Sequence, residues 1–236
     1  MISIIIPTYQ EAACIGDALQ RVCRLAGDKE IIVADGGSDD GTIAVVTEFP
    51  DVRVVDSAKG RALQMNAGAQ AATGDVFLFL HADTILPENA LVDIESAMSD
   101  ARHAGGKFRL QFDPAPLIQR IYSWFSRFPW PIATYGDQAL FVRREVFREM
   151  GGYREMPIFE DVEFFTRLRK RGSIVVVRNP VVTSGRRFVS NGLVRQHMKN
   201  ALLVCGYRLG VSPERLKQWY PVANGVNDVK DVVNED

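Results

Sequence analysis

Five consecutive apolar residues, Val76 to Leu80, stop abruptly at His81-Ala82-Asp83, and no other stretch constrains the fold as much. Gly74-Asp75 before it and Thr84 with Pro87 after it bound the run at strand length. The lack of polar alternation suits a strand covered on both faces, as in a parallel α/β sheet. Polar side chains at the carboxyl end of such a strand stand where open α/β sheets bind ligands. Asp83 has a second role open to it, as the cap of a helix that Pro87-Glu88 would begin.

The same pattern occurs twice upstream. Ile2 to Ile6 reads as a buried strand stopped by Pro7, and Ile15, Ala18, Leu19, Val22 and Ala26 then share one helical face closed by Gly27-Asp28. Glu30 to Asp35 is a second apolar run ending in a carboxylate. Strand, helix, strand at this spacing is a parallel unit with a right-handed crossover. Gly36 to Thr42 is a turn-rich loop feeding a helix with Ile43, Val46 and Phe49, and Asp40 or Thr42 can cap it. Val52 to Val55 is a third short strand, and Lys59-Gly60-Arg61 opens a small-residue helix through Gln64, Asn66 and Gly68. Glu11, Asp35 and Asp83 are thereby carried toward one sheet edge.

After about residue 104 the regular rhythm ends. A helix with Leu91, Ile94 and Met98 leads to Gly105-Gly106 and an alternating strand, Phe108, Leu110 and Phe112 against Lys107, Arg109 and Gln111. Leu117 to Trp130 is aromatic; Leu117, Ile118, Ile121 and Phe125 fall at helical spacing and read as a core-facing stripe, whereas Phe128-Pro-Trp-Pro131 is a loop. Gln138 to Val142 reads as a strand and Arg144 to Met150 as a helix ended by Gly151-Gly152. Glu160-Asp161 leads a helix with Val162, Phe165 and Leu168 inward. Ile174 to Val177 is extended, Leu193 to Leu209 reads as helical, Ser212 caps a last short helix, and residues 222–236 read as a frayed tail.

With 236 residues the chain can hold one large α/β domain, and a net charge of -1 argues against nucleic acid as a partner. From Glu160 to Arg215, however, eleven basic residues face four acidic ones, which suits an anionic ligand or a membrane surface. Cys14, Cys23 and Cys205 match no zinc or redox spacing and read as reduced core thiols. The Ile2 to Ile6 run is too short for a signal peptide, and no run reaches spanning length. The expected location is cytoplasmic, with peripheral membrane contact open.

Four features now stand in order: Pro7-Thr8-Tyr9-Gln10-Glu11, Val33-Ala-Asp35-Gly-Gly37-Ser-Asp-Asp-Gly-Thr42, Gly60-Arg61-Ala62 with Asn66 and Gly68, and His81-Ala82-Asp83, followed downstream by Phe159-Glu160-Asp161. Together they resemble the family 2 glycosyltransferases over roughly residues 1 to 185. The resemblance implies an A-type glycosyltransferase fold, a mixed, mostly parallel sheet flanked by helices, with C-terminal helices. Residues 1–188 would form the transferase domain, with 1–104 the nucleotide-sugar half and 105–188 the acceptor half; residues 189–236 would be a helical extension. The segments Leu80 to Thr84, Tyr135-Gly-Asp-Gln138 and Thr183 to Phe188 look closer still to a small bacterial branch associated with arsenosugar biosynthesis or radical-enzyme gene neighbourhoods.

That resemblance implies roles. Glu11 and Asp35 would contact the nucleoside; Pro7, Thr8, Tyr9, Gly37 and Ala82 would shape the donor pocket, and Arg61 would approach the diphosphate. Asp83 would bind a divalent metal, Mn or Mg, as the last carboxylate of the family's Asp-X-Asp motif. His81 replaces the first Asp, so its place as a ligand is open. Asp161 would be the general base of an inverting displacement; Glu160-Asp161 can equally be caps that answer the helix dipole. Gly105, Gly106, Asp137, Gln138 and Glu160 would line the acceptor side, and Arg186 and Arg187 would close over the diphosphate. The implied enzyme is a hexosyltransferase-type glycosyltransferase, its donor a nucleotide-diphosphate sugar, a UDP-sugar being favoured, and a homodimer is open. A nucleotidyltransferase is the competing enzyme class, but Pro7 to Glu11 is not a basic glycine-rich phosphate loop. A nonenzymatic membrane or partner adaptor is the competitor from another class, motivated by His81 and by the basic, apolar segment from Arg186 to Leu209. A dehydrogenase is disfavoured, since no Gly-X-Gly-X-X-Gly follows an early strand.

Overall fold

The computed structural model describes residues 1–113, 117–131, 134, 136–184 and 202–219. Eight strands make one sheet: β1 Ile2–Thr8, β2 Lys29–Asp35, β3 Val52–Asp56, β4 Val76–Phe79, β5 Thr84–Ile85, β6 His103–Asp113, β7 Phe141–Arg143 and β8 Ser173–Ser184, in the order β3-β2-β1-β4-β7-β6-β8-β5. The strands β3, β2, β1 and β4 run parallel. β7 is antiparallel to both its neighbours, β6 and β8 are parallel, and the short β5 closes the edge antiparallel to β8. The expected α/β architecture with a mixed, mostly parallel sheet is present, and one sheet runs across both sides of residue 104.

The apolar runs are unbroken because both faces are covered. On β1, Ile4 and Ile6 join Ile31, Val33 and Leu78 in a core under α1 (Ile15–Arg24) and, later in the chain, α4 (Ala90–Met98). Ile5 points the other way, with Ile32, Phe77 and Phe79, onto α3 (Arg61–Ala71), α6 (Arg144–Glu149) and α7 (Glu160–Leu168). Each fully buried large side chain such as Phe77 contributes about 1.5–3 kcal/mol relative to exposure. α3 lies close on β1 because Gly68 has no side chain: a Cβ there would run into Ile5 Cγ2. Asn66, two residues earlier, clamps a distant turn, with Nδ2 donating to Tyr153 O at 2.8 Å and Oδ1 accepting from Tyr153 N at 2.9 Å.

Several expectations change. Gln138 to Val142 is not all strand: Gly136–Gln138 is a 3-10 turn and only Phe141–Arg143 pairs as β7. The extended Ile174 to Val177 belongs to a longer strand, β8, interrupted by an irregularity opposite Phe108 and Arg109. The helix α2 is only Thr42–Val46. In α5 (Leu117–Phe125) the stripe does not face the core at Ile121 and Phe125, which are 50% and 41% exposed, while Gln119 is buried, and Ser126 just past the helix is buried too. The polar inward side bonds to β6: Ser126 Oγ accepts from Leu110 N at 2.9 Å and donates to Ser123 O at 2.6 Å. Cys205 is exposed rather than a core thiol. Beyond β8, residues 202–208 form a helix, α8, and Pro213–Gln218 forms α9, at whose start Ser212 stands without a side-chain cap bond. Arg186, Arg187 and the tail from 222 lie outside the described residues. Among the described residues no helix is long and apolar enough to cross a membrane.

Candidate active site

Parallel pairing fixes where the strand ends fall. Thr8 is opposite Asp35 in the β1-β2 register, and Leu80 N donates to Ile5 O, so Thr8, Asp35 and the His81-Ala82-Asp83 turn share the carboxyl edge of the sheet. Asp83 does not cap α4, whose N-cap position is Asn89. Asp83 is exposed at this edge and His81 half-buried.

The donor-side loops are tied to one another. Asp35 is buried, and its Oδ2 accepts from Gly37 N at 2.9 Å and Ser38 N at 2.8 Å, while Oδ1 accepts from Ser38 Oγ at 2.6 Å. Gln10, at φ 59, donates its N–H to Ser38 Oγ at 2.9 Å; Glu11 N–H donates to Thr42 Oγ1 at 2.9 Å and Ala12 N–H to Asp40 Oδ2 at 3.0 Å. From α3, Gln64 Nε2 donates to Thr8 O and to Ala34 O, stapling the ends of β1 and β2 together. Lys59 Nζ stands 3.8 Å from the centroid of the Tyr9 ring. Gln64 and Lys59 had no assigned role in the sequence.

The second region gathers charge. Arg61, first residue of α3, reaches Glu160 Oε1 at 3.1 Å and Asp161 Oδ2 at 3.8 Å with Nη1. Its side chain stays 45% accessible, whereas Glu160 and Asp161 are buried in the first turn of α7. Burial disfavours the Arg61 charge, yet Glu160, Asp161 and Asp83 together hold its pKa up. Burial, then Glu160, raises the Asp161 carboxyl well above the carboxylate range; Arg61 and the N–H of Gly136 oppose that, and Asp137 adds to it. Asp161 Oδ1 is buried without a hydrogen-bond partner among the described residues.

Gly136 explains how the cluster closes. A Cβ at residue 136 would overlap Asp161 Oδ2 and sit 2.6 Å from His81 Nε2, so the absent side chain lets the turn bring the end of β4 against the start of α7. The same turn presents Asp137, whose Oδ1 is another buried atom without a partner among the described residues. Its pKa is pushed up to about 7 by burial and then Asp83, against Arg61 and Lys107. Lys107, read in the sequence as the polar face of β6, is fully buried. Its Nζ donates to Thr134 Oγ1 at 2.8 Å, and burial lowers its pKa to about 7 against the pull of Asp137. Tyr153, stacked on Phe164 at 4.1 Å, has its hydroxyl buried beside the cluster; burial, Asp161 and Glu160 raise its pKa far above the phenol value. Gln138 is buried in the turn, adjoining Asp137. Gly105 and Gly106 lie within β6, where added side chains would meet Phe141 and Val175; they permit close strand packing.

The chemistry of the edge follows from this census. Asp161 is a buried carboxyl with a raised pKa and one oxygen without a partner among the described residues, a combination compatible with proton transfer. Arg61 is a partly accessible cation beside it. No three His, Cys, Asp or Glu side chains among the described residues group as cation ligands, so a cage made by protein alone is not present. An exposed Asp83 oxygen instead fits a hard divalent cation completed by phosphate oxygens of a substrate.

Comparison with known proteins agrees with the motifs. The model described as "Glycosyl transferase family 2" matches residues 3–189. A glycosyltransferase of PGL/p-HBAD biosynthesis from Mycobacterium bovis is 30% identical over 233 residues, covering 89% of this chain and 87% of that protein. A probable glycosyltransferase of Bacillus subtilis, YdaM, is 26% identical over 197 residues; the match covers 72% of this chain and only 47% of that longer protein. Among solved structures, the mannosyltransferase PcManGT from Pyrobaculum calidifontis, in complex with GDP-Man and Mn2+, superposes with a TM-score of 0.69 at 20% identity, over 92% of this chain and 67% of its own. TarS residues 1–349 of S. aureus, in complex with UDP, superposes with a TM-score of 0.67 at 17% identity, over 78% of this chain and 60% of its own. At those identities the structural likeness establishes the A-type glycosyltransferase fold. The sequence match extends through the donor-side loops, the His81-Ala82-Asp83 edge and the Asp161 cluster alike, and the chain belongs to glycosyl transferase family 2.

Proposed function

We propose that this chain is an inverting glycosyltransferase that moves a sugar from a nucleotide-diphosphate donor to an acceptor hydroxyl. One observation carries the reading: Asp83, Arg61 and a base-like Asp161 come together at the carboxyl edge of a mostly parallel sheet. The nucleoside lies along Pro7, Thr8, Tyr9, Glu11, Asp35 and Gly37, the diphosphate along Arg61, Ala82 and Asp83, and the acceptor near Asp137, Gln138 and Glu160. Asp161 takes the proton from the acceptor hydroxyl as its oxygen attacks the anomeric carbon. The bond from that carbon to the diphosphate oxygen breaks, and the nucleoside diphosphate leaves. Arg61 neutralises part of the charge on the leaving group. A divalent cation held by Asp83, with His81 beside it, supplies further neutralisation when bound.

The nucleotides named with the structural relatives, UDP for TarS and GDP-Man with Mn2+ for the Pyrobaculum mannosyltransferase, support the donor class, and a UDP-sugar is our first choice. Residues 1–104 act as the donor half, 105–188 as the acceptor half and 189–236 as an extension. Leu80 to Thr84, with Tyr135 to Gln138 and Thr183 to Phe188, supports placement in the bacterial branch associated with arsenosugar biosynthesis or radical-enzyme gene neighbourhoods. A thermal-shift panel of UDP- and GDP-sugars, each with Mn2+, Mg2+ or chelator, tests the proposal. A specific, cation-dependent rise with one nucleotide sugar is expected; no shift with any of them would remove the donor assignment.

A further inference from the structure

Beyond Lys107 the same face of β6 presents Arg109 and Gln111, and there it forms the floor of a cavity of about 520 Å³ that plays no part in the chemistry above. Four arginines surround it: Arg109 from β6, Arg120 from α5, Arg127 just past α5, and Arg178 at the irregularity of β8. None of the four has an ion pair among the described residues, and residues 114 to 136 contain no Asp or Glu. Arg109 Nε and Ser123 Oγ, both belonging to residues of the cavity wall, are buried without partners among the described residues, a cost that an anionic oxygen in the cavity offsets.

The rim is as unusual as the floor. Trp124 and Trp130 are 48% and 45% exposed, next to the exposed Ile121 and Phe125. The rings touch one another rather than the core: Trp124 packs on Phe125 and Phe128 at 5.1 Å, Phe128 stacks on Trp130 at 4.6 Å, and Arg127 lies over the Trp124 ring. A free phosphate would need the arginines and not the rings. Half-exposed tryptophans beside unpaired arginines match the boundary of a bilayer, where indoles sit at headgroup depth and cations meet lipid phosphates. We propose that α5 and the loop after it form a membrane-docking surface whose arginine cavity receives the phosphate of an anionic lipid. The proposal is independent of the donor chemistry.

Trp219→Phe leaves Trp124 and Trp130 as the chain's remaining tryptophans, since there are three in all. Their emission should shift to shorter wavelength on adding phosphatidylcholine vesicles containing phosphatidylglycerol, with little change for pure phosphatidylcholine and a weakening as salt rises. In cosedimentation with the same vesicles, Arg120→Gln and Arg178→Gln should each weaken binding about fivefold, and Trp130→Ala should weaken it as well. All three sites are exposed, and unchanged circular dichroism confirms that the variants fold. Three outcomes would overturn the proposal: no binding to anionic vesicles, binding that the arginine variants leave unchanged, or complete competition by inorganic phosphate at constant ionic strength with Trp130→Ala silent. The last would assign the cavity to a soluble phosphate compound instead.

Discussion

The donor-side loops and the Asp161 cluster lie along one sheet edge and both contain buried carboxylates, but they treat them in opposite ways. Asp35 accepts three short hydrogen bonds from its own loop and returns a fixed turn. Asp161 keeps an oxygen without a partner among the described residues, faces Glu160, and has its pKa raised to about 7. A satisfied buried carboxylate stabilises structure; an unsatisfied one costs stability and persists where chemistry uses it. Under the function proposed above, the first region shapes the site and the second carries the reaction. Asp161→Asn should break it most sharply, lowering turnover about 10²–10⁴-fold, the usual contribution of a general base, with donor affinity nearly unchanged in a calorimetric titration. Normal turnover would remove Asp161 from the mechanism.

Gly136 lets the His81 end of β4 approach Asp161 at the start of α7, and a single methyl probes it. Gly136→Ala should push apart Asp161 and His81, cost about 1–3 kcal/mol of stability as overpacking does, and depress turnover more than donor binding. A variant as stable and active as the parent would mean that the turn is not held against α7. In the other region, Asp35→Ala should lower stability by about 1–3 kcal/mol by orphaning the Gly37 and Ser38 donors. That loss should appear in chemical denaturation without any donor present. An effect seen only with donor bound would make Asp35 a ligand contact alone, and the contrast between the regions would fail.

How much of this could be read from residues differs between the two regions for the same physical reason. Buried parallel strands appear as unbroken apolar runs, so β1, β2 and β4 and the polar groups at their ends were legible. Asp161 was not; its place came from resemblance, because a carboxylate in the first turn of a helix looks like any dipole-stabilising acid. Lys107 misled for a related reason. Alternation along β6 reveals two faces, but not that α7, through Phe165, and Thr134 cover the polar one. Ile121 and Phe125 misled in reverse, since helical spacing marks an apolar face without saying what it meets. Gly136 and Gln64 act through contacts far away in sequence, which no local pattern encodes.

The smallest expected effect concerns the coupling inside the reactive region. In protein free of donor and divalent cation, the Asp161 carboxyl titrates near neutrality because burial and Glu160 both favour its protonated form. Between the unfolded value and that raised value the folded chain holds more protons than the unfolded one, so this group's contribution to stability is lost as pH rises through the window. Activity follows the opposite sign, since only the deprotonated carboxylate can act as base, and it should fall as pH drops through the same range. Glu160→Gln removes the like charge and frees Arg61 to pair with Asp161. Both changes lower the Asp161 pKa, so the acid limb of kcat/KM should move to lower pH, with little change on the alkaline plateau. Carboxyl-detected NMR titration of the two proteins measures the same shift directly. A move to higher pH would show that Glu160 serves Asp161 through Arg61 placement rather than through its own charge, and would rank that salt bridge with the structural hydrogen bonds of the donor loops.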